Sequence, residues 1–456
     1  MDMLKTRPAV MLYLLFLLCP VLMAQTTTPP STPDINQRIA DLERQLQQLK
    51  AEVAGQAKTE TPAAAPAAPS GAVAAEAGTP AVAPGPLDGI ASVLKGSTVN
   101  GLVDTYYGVN FNSPGNRISG LRLFDNATNQ FGLNLIEFGL DKAPDATSAT
   151  SRLGYDFTMA FGNAINIVNS TDPGGLGFAQ YLKSAYASYL APVGKGLTLT
   201  FGKFVTPVGA EVIESNKNWN YSRSLLFNYA IPFYHFGLSA GYTFNDKYTL
   251  TGYVVNGWNN LVDNYSSGKT GGLSFAWTPN KKVSVTQGWL GGPGATPADN
   301  NGWRNLSDTV ITYTPNSKLS LMANGDYGRV ERPLGFKGPV DWSGIAGYAK
   351  YQLNPLWAVA GRYEYYNDHD GFTTSGFQIV QIGGVTTYPA VPLRQHINEF
   401  TGTVERKFAQ HLITRAEYRF DDSNNSHAFV KGASSFAGNQ STLSGGLIFV
   451  LEPDAK

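Results

Sequence analysis

The chain carries a single cysteine, Cys19, among 456 residues. That excludes an internal disulfide, so stability must come from a large core or from surrounding lipid. Charge is scarce as well: Asp, Glu, Lys and Arg make up 15% of the residues, and 34 basic side chains balance 34 acidic ones. A neutral chain without a Lys/Arg cluster offers no footprint for nucleic acid. Long hydrophobic runs are also missing. Past the N-terminus nothing approaches the roughly 18 apolar residues of a membrane-spanning helix, so a membrane location requires strands. What the chain does have is 49 glycines and 12% aromatic residues. Low charge with so many rings and glycines fits neither a disordered chain nor an ordinary soluble enzyme.

The N-terminus reads as a secretory signal over residues 1–24. Lys5 and Arg7 precede an apolar stretch from Ala9 to Val21, and Leu22-Met23-Ala24 stands before Gln25. A lipoprotein reading of Cys19 wants a small residue before it, where Leu18 stands. Ile35, Ile39, Leu42, Leu46, Leu49 and Val53 then recur at alternating steps of four and three. This heptad seam predicts a coiled-coil helix over residues 31–54, opened by Thr32-Pro33-Asp34. So short a helix is marginal alone, which favours partner helices from identical subunits, for instance in a trimer, over packing on its own domain. Residues 55–87 are Ala/Pro-rich and cannot bury a core, so they form a spacer. Extended, it reaches on the order of 100 Å. Helix and spacer together make a periplasmic arm long enough for cell-wall contact.

Residues 88–451 alternate with a period of two. Leu153, Tyr155, Phe157, Met159 and Phe161 share one face, against Arg152, Gly154, Asp156, Thr158 and Ala160. The segments from Leu319 to Tyr327, Trp357 to Tyr365 and Leu412 to Phe420 repeat the pattern, with charges at mid-strand on the polar face. An apolar face ending in Tyr, Trp and Phe, opposite a polar face with central charges, matches lipid outside and water inside. Connections alternate between short and long. Short turns such as Phe244–Lys247, Thr278–Lys281 and Thr314–Ser317 are separated by loops near 112–130, 163–179, 206–233, 258–269, 292–304, 329–340, 366–395 and 421–440. Seven turns and eight loops predict an all-β transmembrane antiparallel barrel of about sixteen strands, wide enough for an aqueous channel.

Several blocks resemble one family: Gly202-Lys203-Phe204, Gly209-Ala210-Glu211-Val212-Ile213, Asn220-Tyr221-Ser222-Arg223-Ser224, Ile231-Pro232-Phe233-Tyr234-His235-Phe236-Gly237 and Val255-Asn256-Gly257-Trp258-Asn259. These are similar to the OmpL-like putative β-barrel porins of bacterial outer membranes. The resemblance implies an outer-membrane porin and no particular solute. One departure from outer-membrane proteins generally is the tail, where Leu451 to Lys456 follow Phe449 and no aromatic residue closes the chain.

The loop 206–233 interleaves Glu211, Glu214, Lys217 and Arg223 with Trp219, Tyr221, Phe227 and Tyr229. A loop this long and aromatic does not belong in water, and a wide barrel offers its lumen. Folded in, it would narrow the pore. Its charges would face Arg362, Glu364, Arg415, Glu417 and Arg419 on late strands, either as a transverse field for dipolar solutes or as pairs that hold the loop. The four aromatics would anchor the loop or form a slide for sugars, with anchoring favoured.

No catalytic residue, metal site or cofactor is expected. His235, His369, His396, His411 and His427 show no metal spacing, and His427 beside Ser426 in a loop is poor ground for an outer-membrane phospholipase. The leading expectation is therefore a channel for passive diffusion of small hydrophilic solutes or ions, with lipid around it. The alternative is an envelope tether, linked to the cell wall through the heptad arm.

Overall fold

The structure is a computed structural model. It describes residues 94–149, 151–170, 177–262, 268–293, 302–333, 335–375, 380–382, 385–387, 393–408 and 411–451. The expected signal segment 1–24, coiled coil 31–54 (Ile35 to Val53 included) and spacer 55–87 lie outside the described residues.

The first strands are β1 (Thr98–Asn110), β2 (Gln130–Lys142), β3 (Leu153–Phe161), β4 (Leu182–Ala191) and β5 (Leu197–Val205). After the long loop come β6 (Tyr234–Asn245), β7 (Tyr248–Val255), β8 (Thr270–Asn280), β9 (Val283–Pro293) and β10 (Trp303–Tyr313). Then follow β11 (Leu319–Val330), β12 (Val340–Gln352) and β13 (Trp357–Asp368), and a small hairpin β14 (Val380–Ile382) and β15 (Val385–Thr387). The wall finishes with β16 (Gln395–Lys407), β17 (Leu412–Ser423) and β20 (Asn439–Leu451), the last two flanking the hairpin β18 (Phe429–Lys431) and β19 (Ser435–Ala437). Sixteen strands pair antiparallel in chain order. β20 returns to β1, with Val103 opposite Phe449, and closes the barrel. Both small hairpins stand apart from that wall.

Short turns and long loops fall where the alternation placed them, with boundaries shifted by a residue or two. The Thr278–Lys281 turn is tighter than its Pro/Asn chemistry suggests, because β8 continues to Asn280 and β9 starts at Val283. The 163–179 loop holds a helix, α1 (Asn163–Ser170), which the reading as a loop missed. Its signal is faint: Ala164, Ile165 and Val168 are one buried helical stripe in a Gly/Asn context. His235 lies in β6, its Nδ1 hydrogen-bonded to Gly257 O at 3.0 Å.

The two faces are inverted relative to a soluble sandwich. Phe138, Phe157, Ile345 and Phe400 stand outward and at least half exposed, while Glu399, Arg419 and Asp421 point inward and are fully covered. In water that arrangement would waste apolar surface and bury charge. Hydrocarbon outside resolves the first problem, and a packed polar interior resolves the second. Outward rings pair across neighbouring strands, Tyr107 with Phe131 at 4.9 Å and Tyr363 with Phe400 at 4.8 Å between centroids.

Candidate functional site

Between β5 and β6 the chain leaves the wall. Gly202 has a φ of 138°, and a Cβ there would meet Ala185 O at 2.2 Å, so only glycine passes. Lys203 follows, fully buried, its Nζ donating to Asn169 Oδ1 of α1 and to Leu182 O at 2.6 Å each. This pins the end of α1 beside the point where the loop departs.

The loop then crosses the lumen. Gly209 N donates to Asp308 Oδ2 on β10 at 3.1 Å, and Ala210 N to Asn324 Oδ1 on β11 at 3.3 Å. Glu211 swings to β13, where it accepts from Arg362 at 2.8 Å. Ser215 Oγ and Tyr221 OH both donate to Asp104 of β1, at 2.6 and 2.8 Å. Arg415 of β17 donates to the carbonyls of Ser215, Asn218 and Asn220 at 2.6, 2.7 and 3.0 Å. Trp342 of β12 closes the path, its Nε1 donating to Ala230 O at 3.1 Å.

Carboxylates of the late strands serve the opposite sign of group. Glu417 accepts from Tyr221 N and Ser222 N at 2.5 and 2.9 Å. Glu364 accepts from Leu225 N and Leu226 N at 2.6 Å each. Arg419 Nη1 donates to Arg223 O at 2.8 Å. The physical reason is general. An irregular buried segment has N–H and C=O groups with no ladder to join, and each must find a partner. A carboxylate supplies up to four acceptor sites and a guanidinium five donors, so one charged side chain completes a turn of loop backbone.

Charge pairs on the wall steady this set. Arg362 Nε donates to Glu399 Oε2 at 2.8 Å, Arg415 meets Glu405 at 2.6 Å and Arg419 meets Asp421 at 2.7 Å, all buried. Glu399, Glu405 and Asp421 were absent from the sequence-predicted set. Alternation marks all three: Ile397, Glu399, Thr401, Thr403 and Glu405 occupy one parity of β16, and Asp421 shares the parity of Arg415, Glu417 and Arg419 on β17.

The structure joins the loop residues to different walls. Glu211 reaches Arg362 on β13. Glu214 and Lys217 do not face the late strands: Glu214 accepts from Lys183 of β4 at 2.5 Å, and Lys217 lies 3.6 Å from Glu214 with its side chain 55% exposed. Lys183 also holds Glu137 of β2 at 2.8 Å. Burial pushes the Glu214 carboxyl up, but Lys183 and then Lys217 outweigh it and bring the pKa from 4.5 down to about 2. Arg223 turns back into its own loop, donating to Tyr221 O at 2.8 Å and to Ile213 O, with its guanidinium 5.0 Å from the centre of the Phe124 ring.

The aromatics pack. Tyr221, Phe227 and Tyr229 are buried. Tyr221 lies 5.8 Å from the ring of Tyr106, Phe227 lies 5.6 Å from both Phe124 and Phe233, and Tyr229 lies 6.5 Å from Tyr366. Trp219, partly buried, meets Tyr348 edge-on at 6.4 Å. The first long connection reinforces this side, with Leu121, Leu123 and Phe124 buried in the same cluster and Arg122 donating to Thr442 Oγ1 of β20 at 2.6 Å.

Beside the loop, against the early strands, lies a cavity of about 680 Å³. Glu137, Asp141, Asp156, Lys183, Glu214 and Lys217 line it, with Tyr186, Phe204 and Tyr253 among its neutral surfaces. It lies on the short-turn side, since its lining includes Thr98 at the start of β1 and Asp141 near the end of β2.

A family model described as putative beta-barrel porin-2, OmpL-like, matches residues 96–451. Among solved structures, an anion-selective porin from Comamonas acidovorans is similar at 12% identity and a TM-score of 0.50, over 78% of this chain and 99% of that one. In-vitro folded OmpT, an outer membrane protein of Vibrio cholerae, matches at 11% identity and 0.49, over 78% and 97%. Salmonella typhi OmpF, in complex with daunomycin, also matches at 11% identity and 0.49, over 78% and 97%. Comparison with curated protein sequences returns no match.

Proposed function

The chain belongs to the OmpL-like putative β-barrel porin-2 family, and from that premise we propose that it forms a water-filled outer-membrane channel for passive diffusion of small hydrophilic solutes. The observation that carries this reading is the loop 206–233, held across a closed sixteen-strand lumen, with a charged cavity of about 680 Å³ left beside it. A barrel of this strand number leaves an aqueous interior, and the loop takes up part of that space. Passage is then decided by cross-section and by the field of the charges that still face water. Glu137, Lys183, Glu214 and Lys217 make up part of that constriction. Arg362, Glu364, Arg415, Glu417 and Arg419 act as the scaffold that holds the loop, and Trp219, Tyr221, Phe227 and Tyr229 as its apolar anchors. Self-association through the heptads of residues 31–54 belongs to the same reading.

The test is planar-bilayer recording of the purified full chain. Discrete conductance steps are expected. Replacing residues 206–233 by a short Gly/Ser link should raise the step size clearly. A bilayer that stays silent overturns the proposal, and an unchanged step in the loop replacement removes the constriction from it.

A further inference from the structure

The cavity beside the loop has an unbalanced charge, and we infer that the channel favours cations, both inorganic ions and small solutes carrying an ammonium group. This rests on the porin reading above and adds the selectivity that it leaves open. Four carboxylates and two ammonium groups line the cavity, which leaves two negative charges. Four of these six groups cancel. Lys183 lies 2.8 Å from Glu137 and 2.5 Å from Glu214, and Lys217 lies 3.6 Å from Glu214, so two lysines neutralise two glutamates in one connected set.

The remainder sits on one patch of wall. Asp141 of β2 and Asp156 of β3 are direct register partners, and both line the cavity. Their hydrogen-bond partners are neutral: Asn100 Nδ2 donates to Asp141 Oδ1 at 2.7 Å, Thr158 Oγ1 donates to Asp156 Oδ1 at 3.2 Å, and Ser184 Oγ donates to the same oxygen. Among the described residues, neither carboxylate pairs with a lysine or arginine, in contrast to Glu137 and Glu214 on the same cavity. Like charges placed directly opposite on neighbouring strands repel and destabilise a sheet. A cation passing between them offsets that repulsion. The neighbouring walls add no competing charge, since Thr200, Ser239 and Tyr253 are neutral. In a narrow water space with protein walls, an uncompensated pair of this kind focuses the field and enriches counter-ions.

Reversal potentials of the full chain in a planar bilayer test this, with a KCl gradient kept at or below about 0.1 M so that the Debye length stays near 10 Å or longer. The wild type should show a potential of the cation-selective sign. Asp141→Asn with Asp156→Asn should reduce the cation-to-anion permeability ratio roughly tenfold, the lower edge of the enrichment that a charged cleft provides. Lys217→Glu, at an exposed side chain, should move the ratio the other way and covers the case in which the double variant does not fold. Conductance without cation preference, or a ratio unmoved by both sets of substitutions, overturns the inference and leaves the porin reading standing. A wild type with no conductance overturns both.

Discussion

Arg362 and Glu211 meet at 2.8 Å with side chains 0% and 3% exposed, although 151 residues separate them in the chain. One belongs to the wall and the other to the loop. Arg362 also donates to Glu399 on the neighbouring strand and to the carbonyl of Ser222, so a single guanidinium ties β13 and β16 to the loop backbone.

Removing that guanidinium should be costly. Arg362→Met leaves Glu211 and Glu399 buried without their shared partner, a loss of about 3–5 kcal/mol for breaking a buried pair from one side. The expected outcome is a barrel that still forms, with a lower unfolding temperature and noisy, enlarged conductance steps. Calorimetry with single-channel recording checks both, and wild-type behaviour in both would show that the loop is held by other means.

Two adjacent glycines on β20 should differ in their response to the same change. A Cβ on Gly446 would meet the Tyr221 ring at 2.6 Å, whereas one on Gly445 would meet nothing within 4 Å. Gly446→Ala must displace a fully buried tyrosine and weaken its hydrogen bond to Asp104, at a cost of about 1–3 kcal/mol for overpacking. Gly445→Ala should fall within about 0.5 kcal/mol of wild type. Equal unfolding temperatures for the two variants would contradict the loop's placement against β20.

Glu364 and Glu417 each accept two backbone N–H groups of the loop. Their replacement by glutamine keeps the shape but supplies an amide that can accept only at its oxygen, so one of the two buried N–H groups held by each side chain loses its partner, at about 1–3 kcal/mol each. The double variant Glu364→Gln, Glu417→Gln should therefore release residues 221–226. Faster amide hydrogen exchange confined to that segment is the readout, and protection equal to wild type would exclude these carboxylates as anchors.

Acid should loosen a different anchor. Glu214 has its folded pKa depressed from 4.5 to about 2, so its pairing with Lys183 is fully present above 4.5 and is lost as the pH falls toward 2. Conductance is expected to hold steady from neutral pH to about 5 and to become unsteady only below 4.5. Glu214→Gln should abolish that acid transition. A transition that survives in this variant would trace to another group.

Much of the barrel was legible because a β-strand exposes its environment with a period of two. Phe157 and Asp156 differ by one position and end up on opposite sides of the wall, one towards lipid and one towards the cavity. Turn chemistry located the strand ends, and the run of aromatics in 206–233 marked a loop unsuited to water. Helix α1 escaped because eight residues rich in Asn are too few for a clear 3.6-residue period.

The partners of each charge were not legible. Parity says that Arg362, Glu399, Arg415 and Arg419 point inward, but not which backbone group or carboxylate each one finds. Those matches depend on where an irregular segment lies in the lumen, and no periodicity encodes the path of a loop. The same holds for Glu214 and Lys217, which the sequence set against the late strands and the fold delivers to Lys183 on β4.

Local alternation and turn residues, then, were enough to determine a strand-built membrane wall with an aqueous side, because each strand reports its two surroundings residue by residue. Only the closed tertiary structure decided which charges cancel and which, such as Asp141 and Asp156, remain facing water. Electrostatic balance is set by distances between segments far apart in the chain, and those distances exist only once the ring has closed around its loop.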